Sequence, residues 1–585
     1  MSINLIKRSF QQFHSAKSIR STQCLLSIPV LALASGQALS SDQYDPPASY
    51  YASVNGTGSA LKSQLTSAMS AGHIQRSYGD FRIMSRTIDQ DPNNPANIIL
   101  VYNEASVRGL WDQGATWNRE HVWPQSRQPG SASNSSLGNL GDAHALRPCN
   151  PSINSSRGNK PFGLASSTGN FGSLGTFYFT GDVDKGDIAR SLFYSDTRWT
   201  SLGLSLVNGV PSGNQMGDLS ALIAWHYLDA PDTFERRRNH AVFDSELNPF
   251  FFTNNRNAFI DHPEYVWSIY MDQENDSTIW VGDAPNPDGS STLTISLNAL
   301  VGESAGSVPV LINKEGSDGT YYTVTPSAGL ETSIWTNANS FPMNTPSDMS
   351  MFTVSLPAGA TDVASISTEQ IVIDNLDVTT MGGAGNGAND ADDLITVAVN
   401  VFEPMEGSLE SGNELSEITI DLGVIGVDSG DMTQTIEFFN NADAIVGAPM
   451  GIQLLSSSGD TGSLTTDFTT LDGIQAQGNG SIQAILVDDQ SGVFSATYTF
   501  RAVNSESLFG TASTGDELVV NLVGEVGNLC VADFASPFGQ LNFLDVSAFL
   551  QAYGSMDPSA DLDNSGSFNF LDVSEFLQQY GAGCP

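Results

Sequence analysis

Basic side chains are almost missing from the second half of this chain. Residues 276–585 hold only Lys314 and Arg501 against 41 Asp and Glu. Phosphate contacts need Lys and Arg, so that half is excluded as a nucleic-acid-binding surface. The same acidity favours solubility and attracts cations such as Ca²⁺. Residues 41–275 are nearer balance, with 17 Lys and Arg against 23 Asp and Glu. Long apolar runs are missing too, and after residue 40 no segment reaches the length a membrane span needs. Cysteine is scarce: of four, Cys24 falls in the leader and Cys149 stands alone. Cys530 and Cys584 bracket the last module and could pair after export, which the sequence leaves open.

Residues 1–40 read as an export signal. Lys7, Arg8, Lys17 and Arg20 lead into the apolar stretch Leu25 to Ala34. Small residues follow at Ala32-Leu33-Ala34 and Ala38-Leu39-Ser40, both suited to cleavage. At 585 residues the chain exceeds one ordinary core, so three to five domains are expected.

Residues 41–275 mix helix and strand signals. Leu61, Leu65 and Met69 recur four apart and predict a helix over Ala60 to Ala71. Asn97 to Tyr102 predicts a buried strand, and Asp187 to Tyr194 and Asp218 to Leu228 predict helices opened by an Asp cap. Asn134 to Asn139 and Ser166 to Gly175 read as Gly/Ser/Asn-rich loops. After Asp276 Ser, Thr, Gly and Val dominate, and alternating runs such as Phe352-Thr-Val-Ser-Leu356 carry the period of half-buried strands. Leu293-Thr-Ile-Ser-Leu297 returns as Ile418-Thr-Ile-Asp-Leu422, and Asp393-Leu-Ile-Thr-Val397 as Glu517-Leu-Val-Val-Asn521. That repeat predicts tandem β-sandwiches over 287–405 and 413–527, after a linker at 276–286.

The chemistry concentrates in Asn118-Arg-Glu-His-Val-Trp-Pro-Gln-Ser126 and Asn154-Ser-Ser-Arg-Gly-Asn159. Hydrolysing a phosphodiester requires an activated water, neutralised phosphate charge and help for the leaving oxygen. A histidine titrating near neutrality can take the water's proton. A hard cation wants oxygen ligands, which Glu120 and Asn154 would supply. Neighbouring strand residues point to opposite faces, so Glu120 and His121 need either a bulged segment or a site that straddles the strand. His144 and His226 read as structural, and Arg157 alone could be a surface ion pair. Arg236, Arg237 and Arg238 could grip a phosphate backbone, but a helix face paired with Asp232 and Glu235 is the favoured reading.

Seven blocks closely resemble the bacterial endonuclease I family of secreted nucleases, part of the His-Me finger (ββα-metal) group. They are Asn118 to Ser126, Gly141-Asp-Ala-His-Ala-Leu-Arg-Pro148, Asn154-Ser-Ser-Arg-Gly-Asn-Lys-Pro-Phe-Gly163, Gly186-Asp-Ile-Ala-Arg190, Trp225-His226, Phe234-Glu-Arg-Arg-Arg-Asn239 and Asn255 to Tyr265. The likeness spans about residues 47–272 of the chain. It implies that His121 is the general base, that Glu120 and Asn154 hold Mg²⁺ or another divalent ion, and that products carry 5′-phosphates. It also implies a phosphate contact at Arg157, with Arg147 next, and support from His144 and Asn159. The family's second block usually reads Asp-Leu-His. Here it is Asp142-Ala143-His144, a change expected to alter packing and leave the chemistry intact.

The last module, 528–585, repeats at 27 residues: Asn542 to Gly554 matches Asn569 to Gly581. Asp561, Asp563, Ser565, Ser567, Asn569 and Asp572 place oxygens at the ligand positions of a twelve-residue calcium loop, with Gly566 at the sharp turn. The Asp at the last position, with a helix following, resembles dockerin-type repeats, which implies Ca²⁺ and a protein or cell-surface docking partner. The upstream copy puts Phe534, Ser536 and Phe538 at the first ligand positions, so calcium is not expected there. Phe549, Phe576, Tyr553 and Tyr580 are expected to form the module's small core.

The expected fold is therefore multidomain: an α+β ββα-metal nuclease, two all-β sandwiches and a small helical EF-hand-like module. The expected function is secreted or surface-attached, metal-dependent cleavage of DNA and/or RNA with little sequence preference. The alternatives are a ribonuclease restricted to RNA, and an adhesion or scaffold protein with a vestigial nuclease domain. A fragment ending near residue 275 is expected to be soluble and active, because the site residues and the core should lie before it.

Overall fold

Helix α1 (Gly58–Ser70) forms where Leu61, Leu65 and Met69 fall on one face, and that face is buried. The computed structural model describes residues 41–583 apart from 272, 283–289, 335–337, 377–390, 428, 510–514, 528–529 and 537–539. The expected leader, Cys24 and Cys584 lie outside the described residues. Cys530 is disulfide-bonded, and Cys149 is a free, buried thiol.

Helix α2 (Phe81–Ile88) buries Phe81, Met84 and Ile88 against Trp117, Leu146 and Val242 in a small cluster. A three-stranded sheet of Gln90–Asp91, Asn94–Ile99 and Ser106–Arg108 follows. The strand expected at Asn97 to Tyr102 thus begins earlier and ends at Ile99. Tyr102 turns away with φ of 75°, a left-handed backbone that cannot continue a strand.

Strand β1 (Asn118–His121) pairs antiparallel with β2 (Leu146–Cys149), with Glu120 opposite Arg147 and no irregularity in register. Helix α3 (Pro151–Arg157) follows directly. Asn150 caps it by accepting from the backbone N–H groups of Ser152 and Ile153, Pro151 opens it, and Gly158 at φ 61° ends it. Helix α4 (Lys185–Arg198) runs through the middle of the main core with nearly every residue buried. The expected start at Asp187 is corrected: Asp184 precedes the helix, and Asp187 lies in its first turn, where it meets Arg147 and Arg190. Helix α5 (Leu219–Leu228) buries every residue from Ala221 to Tyr227. Helix α6 (Thr233–Phe243) is capped by Asp232.

The core around α1, α4 and α5 is not closed by residue 275. Tyr321 and Ala338 belong to the same buried cluster as Leu192, Trp225 and Trp267. The Tyr321 hydroxyl donates to the carbonyl of His226 at 2.6 Å, and the Ser340 hydroxyl to that of Tyr227 at 2.8 Å. Both carbonyls lie in the last turn of α5, where the helix itself offers no donor. The β-rich region therefore caps a helix of the catalytic region, and the expected boundary at 275 cuts through a shared core.

Two pairs of sheets make up residues 278–527. In the first pair one sheet orders Thr278–Val281, Ser307–Glu315, Ser347–Ser355 and Glu331–Thr332. The other orders Thr292–Leu300, Asp393–Phe402, Ser365–Asn375, Thr320–Pro326 and Asn339–Phe341. Their apolar faces share one cluster. Thr278–Val281 lies inside the expected linker, but pairing with Ser307–Glu315 makes it an edge strand. The second pair repeats this order of strands about its own cluster. The repeat seen in sequence closes both: Leu293 lies opposite Ile395 and Ile418 opposite Val520, each in a parallel pair. The second pair also takes in Gly407–Ser408, before the expected boundary at 413.

Helices α7 (Phe543–Gly554) and α8 (Phe570–Ala582) each begin with a capping box, Asn542 with Asp545 and Asn569 with Asp572. Phe549 and Phe576 stack face to face at 4.0 Å between them. Tyr553, Tyr580 and Phe534 pack around that pair. Phe534, at the first ligand position of the upstream copy, is thus a core residue.

Candidate active site

Glu120 and His121 sit side by side in a regular strand and face opposite ways. Glu120 is 2% exposed. Its Oε1 accepts from the Tyr102 hydroxyl at 2.8 Å and pairs with Arg157 Nη1 at 2.9 Å. Its Oε2 takes part in no hydrogen bond or ion pair among the described residues. Burial pushes the Glu120 carboxyl up, while Arg157 and the Tyr102 hydroxyl pull it back down.

On the other face, His121 Nε2 lies 3.1 Å from the Leu140 carbonyl. A carbonyl only accepts, so the proton sits on Nε2 and Nδ1 keeps a free lone pair. Tyr78 stacks on the imidazole at 4.8 Å and 25°. Burial brings the His121 pKa down to about 4, and Arg119 and Arg157 add to that fall. The ring is therefore neutral, as a general base must be.

Helix α3 lies along β1. Asn154 Nδ2 donates to Asn118 Oδ1 at 2.8 Å, which leaves Asn154 Oδ1 free. One helical turn on, Arg157 reaches Glu120 and donates to the carbonyls of His121 at 2.9 Å and Val122 at 2.6 Å. A carboxylate oxygen and an amide oxygen, neither in a hydrogen bond among the described residues, are the ligand types that suit a hard cation keeping several of its waters. Bound there, such a cation would neutralise phosphate charge.

Both expected phosphate contacts are buried. Arg157 is 1% exposed; its terminal nitrogens meet Glu120 and two carbonyls, while its Nε has no hydrogen-bond partner. Arg147 is 5% exposed and pairs with Asp187 at 3.0 Å. A buried cation requires internal partners, and those partners remove it from a substrate's reach. His144 is buried against Tyr194, with Nε2 3.2 Å from the Asn255 carbonyl. Asn159 is exposed and touches Ser126 weakly, at 3.4 Å. The arginine run serves the fold: Arg236 pairs with Asp45, Arg237 bonds Gln90, and Arg238 pairs with Asp89. Sequence reading missed Tyr102, Asn118, Tyr78 and the Leu140 carbonyl. Of these only Asn118 carried a signal, its place in the Asn-Arg-Glu-His block.

In the last module the carboxylates of Asp561, Asp563 and Asp572 bring ligand atoms within 4.8 Å of one another. The backbone N–H groups of Ser565 and Gly566 bind Asp561, and Gly566 takes φ of 73°. Asn569 does not point its amide at the group. Its Oδ1 caps α8 by accepting from Leu571 N–H, and its Nδ2 donates to the Ser567 carbonyl. The Ser565 hydroxyl likewise contacts the Ser567 carbonyl, at 3.3 Å.

The endonuclease I profile matches residues 57–264. The extracellular ribonuclease of Bacillus amyloliquefaciens is 36% identical over 242 residues, covering 38% of this chain and 78% of that protein. The extracellular ribonuclease of Bacillus subtilis (strain 168) is 36% identical over 235 residues, with the same coverage. The family match and these relatives define an enzyme that hydrolyses nucleic acids. The chain belongs to the endonuclease I family.

Proposed function

We propose that this protein is a divalent-metal-dependent nuclease that works outside the cell, cutting DNA and/or RNA with little sequence preference and leaving 5′-phosphates. The observation that carries the reading is the placement of Glu120, His121 and Asn154 on β1 and α3, with Glu120 Oε2, Asn154 Oδ1 and His121 Nδ1 in no hydrogen bond among the described residues. In this reading His121 Nδ1 takes the proton of the attacking water, with Nε2–H anchored on Leu140. Glu120 and Asn154 hold the cation, Mg²⁺ or another divalent ion, while Arg157 and Tyr102 hold Glu120 and Asn118 holds Asn154. The names of the Bacillus relatives favour RNA among the substrates, so restriction to RNA is the second reading.

The two pairs of sheets are read as tandem β-sandwiches and the helical pair as a dockerin-like module. The converging carboxylates of Asp561, Asp563 and Asp572 support Ca²⁺ there, since like charges packed together call for a cation. Phe543 and Phe570, at 78% and 76% exposed, are the same position in the two repeats. So are the exposed pairs Leu544 with Leu571 and Leu550 with Leu577. These side chains, not the buried aromatics, support an attachment role for the module.

The test uses the full chain on supercoiled plasmid and on ribosomal RNA, with Mg²⁺, with EDTA, and as His121→Ala. Loss of the base is expected to lower turnover about 10²- to 10⁴-fold with Mg²⁺ binding retained, whereas Glu120→Ala weakens both. Near-normal cleavage by His121→Ala would sink the assignment, and cleavage of RNA alone would select the second reading.

A further inference from the structure

Burial of Arg157 and Arg147 leaves the substrate's phosphates without their expected partners, and a different pair of cations lies beside His121. Tyr78 has His121 stacked on it and the Arg119 guanidinium over its ring at 3.5 Å. Arg119 also lies 5.1 Å from the Trp111 ring, and Arg82 lies 5.9 Å from that same ring. Trp111 is itself set edge-on against fully buried Trp117 at 4.9 Å. The result is a row of alternating aromatic and cationic groups that starts at the base and leads outward.

We propose that Arg119, over the Tyr78 ring, and Arg82, near the Trp111 ring, form a phosphate-binding platform for the nucleotides flanking the scissile bond. The proposal rests on the nuclease reading above. Neither arginine forms an ion pair with a carboxylate among the described residues, unlike Arg147, Arg157, Arg190, Arg236, Arg238 and Arg256. Arg82 is held by one bond, Nε to the Gly79 carbonyl at 2.7 Å, which leaves both terminal nitrogens free. Arg119 Nη1 bonds the Tyr78 carbonyl at 2.5 Å and Asn134 at 3.3 Å, which leaves Nη2 free. All four side chains of the row are partly exposed. Guanidinium N–H groups left without protein partners match phosphate oxygens in charge and geometry. Two like charges over one indole repel, and an anion between them relieves that repulsion. Tyr78 already carries His121 and Arg119 against its ring, and the platform's free polar groups are all cationic N–H donors. The platform therefore grips backbone and does not read sequence.

The experiment measures binding of the full chain, in EDTA to prevent cleavage, to labelled duplex and single-stranded oligonucleotides over a series of KCl concentrations. The double variant Arg82→Gln/Arg119→Gln is expected to bind about tenfold more weakly, with the log–log salt slope on duplex smaller by about 1.8, as for two lost contacts. Arg82→Lys/Arg119→Lys restores the slope, because charge is kept. The loss is equal for homopolymers of different base. If the glutamine pair fails to fold, Arg82→Gln alone is expected to lower the slope by about 0.9. An unchanged slope, a base-dependent loss or no measurable wild-type binding overturns the platform. The nuclease reading fails separately, through absence of Mg²⁺-dependent cleavage by the wild type, which the binding arms do not touch.

Discussion

Tyr321→Ala should destabilise the nuclease domain, although residue 321 lies in a β-strand well beyond the family match at 57–264. Tyr321 is 0% exposed, and its ring lies 5.0 Å from His226 and 5.1 Å from Tyr227. Removing a buried aromatic side chain costs about 3–5 kcal/mol, since the cavity collapses only in part. The hydroxyl can be isolated from the ring. Tyr321→Phe keeps the packing but leaves the last-turn carbonyl of His226 without its donor, a loss of about 1–3 kcal/mol. Against a total of about 5–15 kcal/mol for a domain, the alanine variant should lose a large share. Urea unfolding followed by tryptophan fluorescence reads this directly, because Trp225 and Trp267 belong to the same cluster. By the same reasoning a fragment ending near residue 275 should be unstable, and one ending near residue 405 should fold and cleave. The reasoning is refuted if Tyr321→Ala unfolds within about 1 kcal/mol of wild type, or if the shorter fragment matches the longer one.

Arg157→Gln should lower melting temperature and turnover together, because it strands a buried carboxylate at a cost of about 3–5 kcal/mol. A variant with unchanged melting and reduced turnover would instead restore the phosphate-contact role. In the last module, Asp561→Ala should abolish the stabilisation by Ca²⁺, worth about 2.7 kcal/mol at a hundredfold excess over Kd, and calorimetric binding equal to wild type would refute the loop. The His144 pKa, brought down to about 4 by burial, gives a pH dependence of known sign. Between about pH 6.5 and pH 4 the unfolded chain takes a proton that the native ring refuses, so stability falls with pH by roughly 1.4 kcal/mol per unit. His144→Gln keeps a donor for the Asn255 carbonyl and should close its stability gap to wild type as pH drops. A constant gap in urea titrations across that range would count against it.

How much of this was legible in the sequence depends on how local each feature is. The helices α1 and α5 were visible because their apolar spacing is a property of a dozen consecutive residues. The tandem arrangement of sheets was visible because the same strand words recur, and the parallel pairs of Leu293 with Ile395 and Ile418 with Val520 show that the words keep their places. Thr278–Val281 was misread as linker because its partner, Ser307–Glu315, comes only after another strand, Thr292–Leu300, that belongs to the other sheet. The destinations of the arginines were hidden for a related reason. Arg147 and Arg157 carry the charge a phosphate wants, but whether a carboxylate from another segment claims it first is settled by packing. Asp187 and Glu120 do claim it. The exposed apolar pairs on α7 and α8 were missed because spacing marks an amphipathic face without saying whether anything covers it.

Adjacent placement of Glu120 and His121 poses a geometric problem that the fold solves without a bulge. The pairing of β1 with β2 is regular throughout, so the two side chains must leave the strand on opposite sides. Each side then has its own wall: Tyr102 and α3 around Glu120, and Tyr78 with the Leu140 carbonyl around His121. Arg157 joins the two sides, since one guanidinium holds the Glu120 carboxylate and the carbonyls of His121 and Val122. A shift of α3 would move Asn154, the proposed cation ligand, and, through Arg157, the Glu120 carboxylate and the backbone that carries His121, the proposed base. The spacing of three residues between Asn154 and Arg157 places both on one face of α3. One helix thus fixes the ligand pair and the base relative to each other. In the proposed mechanism Arg157, buried at 1% exposure, acts by positioning the residues assigned to the chemistry.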